Sequence, residues 1–372
     1  MSFAASVARL HAELKRQGID LQDMRAERHL ETTLVALPEP DYEPVGPAKG
    51  PQITWQEPGT ALCHPVPATR STGFRYFLDG TQRTLPAFFS SSIPIIASIT
   101  AAAVLERDTD GNCAIMRGML RLKHTWIAPR RSGDPAVDRF IAAVERQGVA
   151  APGTPRSSGN PLVIDPIDPN GELDDPEYQA ALGDFGRLVN LSYDRARRLR
   201  QNLEEDLLKA WATSTSDSDG WIVVDGALRN AQPRMVGLVK SFTRQYLTGE
   251  AAAALLRLPP GHRSPAFEVH DSRPTKSSPG SGWRGKPVVC WYLRLRDATG
   301  RDPRYGLVRV ETDVSVRDTA QIDELSSWIL AERIPSATAD ARWATLLYPV
   351  HYLEQILKRS LEAETRGWPS PR

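Results

Sequence analysis

The chain carries 46 lysines and arginines against 45 aspartates and glutamates over 372 residues, so its net charge of +1 gives no chain-wide basic excess that would mark nucleic acid or membrane binding. With 41% hydrophobic residues it can bury a large core, as one large domain or two smaller ones. Cys63, Cys113 and Cys290 stand far apart without a CxxC pairing, which argues against a disulfide framework and a structural zinc site and fits a reducing, cytoplasmic setting.

Residues 3 to about 35 read as helical, with Val7, Leu10, Leu14 and Ile19 on one face and no long apolar run that would make a secretory signal. The following LPEPDYEPVGPAKGP is too rich in proline for helix or central strand and reads as a linker or extended arm. Residues 1–69 therefore form a helical and proline-rich extension ahead of a domain over 70–372. RYFLD reads as a strand, PIIASITAAAVLERD as a second strand or the start of a helix, and CAIMRGMLRLKHTWIA as strand-like. The apolar window PAFFSSSIPIIASITAAAVLE is broken by serines and a proline, so it reads as buried core and not as a membrane span.

DPAVDRFIAAVERQG has an Asp–Pro start, an apolar stripe (Val137, Phe140, Ile141, Val144) and a terminal glycine, which are helix signals. Turn residues crowd the stretch from about 150 to 172, which reads as a surface insertion. A long helical stretch runs from PEYQAALGDFGRLVNL through RARRLRQNLEEDLLKAW. Strands WIVVDG and RMVGLVKSF follow, then a short helix at GEAAAALLRL and the basic loop SRPTKSSPGSGWRGKP. VVCWYLRLRD and YGLVRVETDV read as an antiparallel hairpin, with Arg294, Arg309 and Glu311 on its wet face. The C-terminal part is helical, with Pro349 marking the start of the last helix. Mixed strands between helices make an α/β domain.

Two phrases repeat: an apolar strand, then Asp, then Gly, at Asp79–Gly80 and again at Asp225–Gly226. Strand ends deliver side chains to the rim of a sheet, and glycine lets the backbone turn beside them. Each phrase alone is also an ordinary strand-to-turn dipeptide. Two such carboxylates with a third from a helix would suit a hard divalent cation, and a pair of cations can clamp the attacking and leaving oxygens of a phosphodiester. The helix of RRLRQNLEEDLLKAW offers Glu204 at the edge of the stripe Leu203, Leu207, Leu208, Trp211; a surface pair with Arg200 explains it equally well. The arginines of YDRARRLR read either as a phosphate-facing row or as a solvated helix face.

The ordered set YFLDGTQRT, RQNLEEDLLKAW, WIVVDGALR, VGLVKS, WYLRL, YGLVRVE and LLYP resembles the NurA nuclease family over about residues 70–360. The resemblance implies an RNase H-like mixed sheet flanked by helices and a DNA-end nuclease dependent on Mn²⁺ (or Mg²⁺). It further implies a homodimer that receives DNA through a HerA-type hexameric ATPase, in repair or in phage defence. By the same resemblance Asp79 and Asp225 match the metal-binding aspartates, and Glu204 the helical glutamate, with its neighbour Glu205 as the alternative. Lys240 matches a lysine placed to meet a substrate phosphate, and Tyr348 the tyrosine of the C-terminal Tyr–Pro phrase. The family's histidine about two helical turns further on is replaced by Ile356, which leaves His351, Glu354 or Gln355 to fill its role. That departure keeps a catalytically inactive scaffold as an alternative, beside an RNase H-like nuclease acting on RNA or junctions.

Overall fold

The structure is a computed structural model and describes residues 3–19, 52–57, 62–147, 163–216, 218–240, 246–270, 287–335, 340 and 342–365. Among these residues twelve strands join one mixed sheet. The N-terminal half supplies β1 (Gln52–Trp55), β2 (His64–Pro65), β3 (Phe74–Ser90), β4 (Ile93–Arg107), β5 (Cys113–Ile127) and β6 (Val163–Ile164). The C-terminal half supplies β7 (Trp221–Asp225), β8 (Met235–Val239), β9 (His262–Arg263), β10 (Phe267–His270), β11 (Val288–Arg294) and β12 (Leu307–Asp313). The order across the sheet is β1-β10-β11-β12-β8-β7-β3-β4-β5-β6, with β9 on β11 and β2 on β9. The helices are α1 (Phe3–Arg16), α2 (Pro135–Gln147), α3 (Asp175–Leu182), α4 (Phe185–Ser214), α5 (Gly249–Leu256), α6 (Thr319–Ala331) and α7 (Tyr348–Thr365). This is the expected α/β architecture, a large mixed sheet flanked by helices and consistent with an RNase H-like fold.

The middle of the sheet explains the apolar sequence window. From Ile93 to Leu105 every residue of β4 is buried, because β3 and β5 pair with it antiparallel on both edges while helices cover both faces. The PIIASITAAAVLERD stretch is thus a strand and not a helix start. In β3 the side chains alternate: Tyr76 and Leu78 pack with Ile222, Val224, Leu207 and Trp211, while Phe77 packs with Val223, Leu353 and Leu357 on the other face. The first face belongs to α4 and the second to α7.

The parallel pair β3–β7 sets the site. Phe77 lies opposite Val223 and Leu78 opposite Val224, so the next step of the same ladder brings Asp79 beside Asp225. There β7 ends, whereas β3 runs on to Ser90. Beyond Asp79, β3 therefore loses its β7 neighbour and exposes backbone groups on that edge. Side chains of α4 take them: Arg200 Nη1 donates to the Gly80 carbonyl (3.3 Å) and Tyr193 Oη to the Thr84 carbonyl (3.4 Å). The helix α4 is capped by Asp184, whose carboxylate accepts from the Arg187 amide at 2.9 Å. It is anchored by Leu188, Leu207 and Trp211, whose burial is worth roughly 2 kcal/mol each.

Several sequence expectations read differently in three dimensions. The described part of the N-terminal helix stops at Arg16, with Gly18 in the left-handed region just after it. Residues 20–51, with the whole of the proline-rich LPEPDYEPVGPAKGP, lie outside the described residues. Leu10 and Leu14 are fully buried in the main core, and α1 packs on α2 and α7. β1 and β2 extend the sheet, and the buried Arg263 guanidinium ties Glu57 (2.7 Å) to Asp323 (2.6 Å). Within the stretch expected to be an insertion, Val163–Ile164 pairs in parallel with β5. Asp165 behind it accepts from the Arg130 amide (2.8 Å) and the Tyr178 hydroxyl (2.7 Å).

The hairpin β11–β12 forms as expected, but its charged residues do not face water. Arg294 is fully buried and donates to the carbonyls of Leu256 (3.0 Å) and Leu258 (3.1 Å), closing the C-terminal end of α5. Arg309 pairs with Glu311 at 2.9 Å, and Glu311 also accepts from the Leu228 amide at 2.9 Å. These strands lie inside the sheet, so the polar alternation marks internal partners in place of solvent. No described helix is long and apolar enough to cross a membrane.

Candidate active site

The repeated Asp–Gly phrase has two structural causes. At Asp225–Gly226 the strand ends, and Gly226 (φ +127°) makes the turn that only glycine adopts easily. At Asp79–Gly80 no turn exists, contrary to the strand-end reading: both residues lie mid-strand, paired with Ala103 and Ala102 of β4. The glycine is needed there for space. A Cβ on Gly80 would fall on Glu204 Oε1 and within 2.9 Å of its Cδ. Glu204 of α4 thus reaches the sheet through the one gap in β3 that carries no side chain. Asp79 sits on the opposite face of the same strand, beside the end of β7.

The electrostatics of Asp79, Glu204 and Asp225 are coupled. Burial pushes the Asp79 carboxyl well above the usual range; Asp225, Glu204 and Glu354 push it further, and Lys240 opposes them. Burial likewise raises Glu204 to about 7, with Arg200 pulling it down and Asp225 pushing it up. Glu204 Oε1 is buried with no hydrogen-bond partner. Two cationic side chains face the group. Lys240 Nζ donates to Asp225 Oδ2 at 2.7 Å, and Arg200 Nη1 lies 3.6 Å from Glu204 Oε1. Glu205, the alternative helical glutamate, turns the other way and pairs with Arg229 at 3.2 Å.

The C-terminal candidates lie at the start of α7, the helix whose Glu354 also acts on Asp79. Tyr348 starts α7 with 57% of its surface exposed. His351 lies one turn later, its Nδ1 3.8 Å from Glu354 Oε2. With Asp340 these residues form a tight cluster, one ligand atom of each lying within 4.8 Å of the others. Sequence reasoning missed Asp340, which needs the fold to bring it to α7. Arg342 Nη2 bonds both Asp340 (2.8 Å) and Glu354 (2.8 Å), and Lys358 adds a bond to Glu354 at 2.9 Å. Burial opposes ionisation of Glu354, but Lys358 and Arg342 hold its carboxyl below the usual range. Arg342 holds Asp340 down to about 2.

The family model described as the NurA domain matches residues 155–359, more than half of the chain. The chain belongs to the NurA family. No curated protein matches it. NurA is a nuclease-type family whose members are in general metal-dependent. The matched NurA segment contains Glu204, Asp225, Lys240, Tyr348 and His351; Asp79 lies ahead of it, and the β3–β7 ladder sets it beside Asp225.

Asp79, Glu204 and Asp225 offer oxygens of the kind a hard divalent cation takes, with burial opposing ionisation of Asp79 and Glu204, but among the described residues it is Asp340, His351 and Glu354 whose ligand atoms all lie within 4.8 Å of one another.

Proposed function

We propose that this chain is a metal-dependent DNA nuclease whose centre is Asp79, Glu204 and Asp225, with Mn²⁺ or Mg²⁺ held by those three side chains. The observation that carries the reading is the parallel β3–β7 ladder, which brings Asp79 beside Asp225, with Glu204 of α4 packed on Gly80 and its Oε1 buried without a hydrogen bond. Bound there, divalent cations would activate the attacking water and neutralise the leaving 3′ oxygen of a phosphodiester. The chain's own groups do the rest. Gly80 leaves room for Glu204 against β3, and Arg200 faces both Glu204 and the Gly80 carbonyl. Lys240 orients Asp225 and supplies the cationic group nearest to where a scissile phosphate would lie. Tyr348 and His351, in the first turns of α7, are the further side chains this reading assigns to the site.

In this reading the protein acts on DNA ends as a homodimer beside a HerA-type hexameric ATPase, in repair or phage defence. A near-neutral chain gains from such a partner, because its own field holds DNA weakly. Nuclease activity is then low alone and rises with the ATPase and ATP. The test is degradation of single-stranded and double-stranded DNA and of RNA with Mn²⁺. Asp79→Ala and Asp225→Ala should each abolish DNA cleavage while the thermal unfolding transition stays cooperative. Either variant cleaving at the wild-type rate removes the assignment.

A further inference from the structure

The basic residues at the centre suggest how cation loading and DNA binding are linked. We propose that Lys240 and Arg200 are exchangeable counter-cations. In the cation-free protein they neutralise Asp225 and Glu204; when divalent cations load, they are released to the phosphates of the DNA strand. This rests on the active-site reading above and adds an order of events to it.

The geometry supports exchange over permanent pairing. Lys240 Nζ sits 2.7 Å from Asp225 Oδ2, with its side chain only 10% exposed. It therefore occupies an oxygen that a bound cation would need. Arg200 lies 3.6 Å from Glu204 Oε1 and leaves that oxygen without a hydrogen bond, while Nη1 is spent on the Gly80 carbonyl. Lys240 bonds one oxygen of Asp225, and Arg200 stands off Glu204 at 3.6 Å with Arg229 also drawing on it, so no one of these cations satisfies the whole group. At equal distance a divalent ion attracts a carboxylate about twice as strongly as an ammonium does. Lys240 carries its charge on a flexible four-carbon stem, so the released ammonium can swing to a phosphate without backbone motion.

Elsewhere in the molecule the pairing is different. Arg342 contacts both oxygens of Glu354 (2.8 and 3.1 Å) and Lys358 adds a third bond, so those cations have no comparable reason to leave. Exchange at Lys240 and Arg200 would also answer the charge problem: a chain of net charge +1 gains two cations for the DNA beside the centre only when that centre is loaded. By linkage, DNA must then raise cation affinity by the same factor that cations raise DNA affinity.

The experiment uses the full chain and the variants Lys240→Met, Lys240→Arg and Arg200→Gln, each first checked for a cooperative melt. Mn²⁺ binding is read at pH 8 from the electron paramagnetic resonance signal of free Mn²⁺. DNA binding is read from the anisotropy of a labelled oligonucleotide, with and without Ca²⁺. Lys240→Met should bind Mn²⁺ about tenfold more tightly than wild type, since a like charge a few ångströms from the ion is gone. Its DNA affinity should rise less with Ca²⁺ than that of wild type, because only Arg200 and the bound ion itself then draw the phosphates, whereas Lys240→Arg keeps the full rise. Arg200→Gln should show the same pattern at smaller amplitude. Lys240→Met binding Mn²⁺ no better than wild type, or keeping the full Ca²⁺ response, overturns the exchange. If wild type and Asp79→Ala bind Mn²⁺ equally, the centre itself is misplaced and the exchange falls with it.

Discussion

Two acidic clusters meet near Asp79, and they are built on opposite terms. Asp340, His351 and Glu354 are the tighter by distance, yet their carboxylates are bonded to Arg342 and Lys358 and are held below the usual carboxyl range or down to about 2. Asp79 and Glu204 are more loosely neutralised, and burial drives their carboxyls upward. Proximity of ligand atoms alone would choose the first cluster as the metal site. The proposed function takes the second on charge balance, because a cation adds most where existing partners leave carboxylate oxygens unsatisfied; the first keeps an unbonded ligand atom too, His351 Nδ1, but its carboxylates are already neutralised.

The contrast breaks most easily at the glutamates. Glu204→Gln should lower the rate of Mn²⁺-dependent DNA cleavage by about a thousandfold, the order expected when a group acting on transition-state charge is lost. Glu205→Gln, whose partner is the exposed Arg229, should change the rate by less than about threefold, within the small worth of a surface ion pair. Equal losses in the two variants would erase the distinction between the inward and outward glutamates.

Gly80→Ala comes next. Its methyl group collides with Glu204, so the side chain must withdraw from the sheet. The expected cost is about 1–3 kcal/mol in stability, measured by urea unfolding, together with a loss of cleavage. Full activity in this variant would show that Glu204 need not reach through β3.

A pH effect of similar size distinguishes the clusters in chelator. The Glu204 carboxyl is raised by burial to about 7 in the folded chain, from an ordinary value of 4.5. Such a group gives its full stability below about 4.5 and loses it progressively as pH rises through about 7, a cost on the order of 3 kcal/mol. Metal-free protein should therefore become less stable between pH 5 and pH 8, read from melting temperature. Glu204→Gln should flatten the slope, and added Mn²⁺ should restore stability at the higher pH. The smallest effect belongs to the second cluster. Glu354→Gln leaves Arg342 and Lys358 short of a partner, so it should destabilise by about 1–3 kcal/mol while cleavage falls less than in Glu204→Gln.

Much of the site was legible in the sequence, though not always for the right reason. Asp225–Gly226 is the strand end that its dipeptide suggests. Asp79–Gly80 has the same wording inside a strand that continues to Ser90, and no local rule distinguishes a glycine that turns from one that makes room for a side chain on a distant helix. The choice of Glu204 over Glu205 likewise needed the sheet, because both lie near the edge of the apolar stripe. Arg294, Arg309 and Glu311 alternate as a wet strand face would, yet neighbouring strands and α5 enclose them. The partners of Glu354 come from the short segment ahead of α7, where Asp340 and Arg342 offer no periodic pattern. Edge strands such as β1 and β6 are too short for any sequence period to register.

The most direct measurement is the position of Mn²⁺ in crystals of the full chain, located by anomalous scattering. The account predicts Mn²⁺ bound by oxygens of Asp79, Glu204 and Asp225, with Lys240 moved away from Asp225. Mn²⁺ found only among Asp340, His351 and Glu354, with Lys240 still on Asp225, would contradict it.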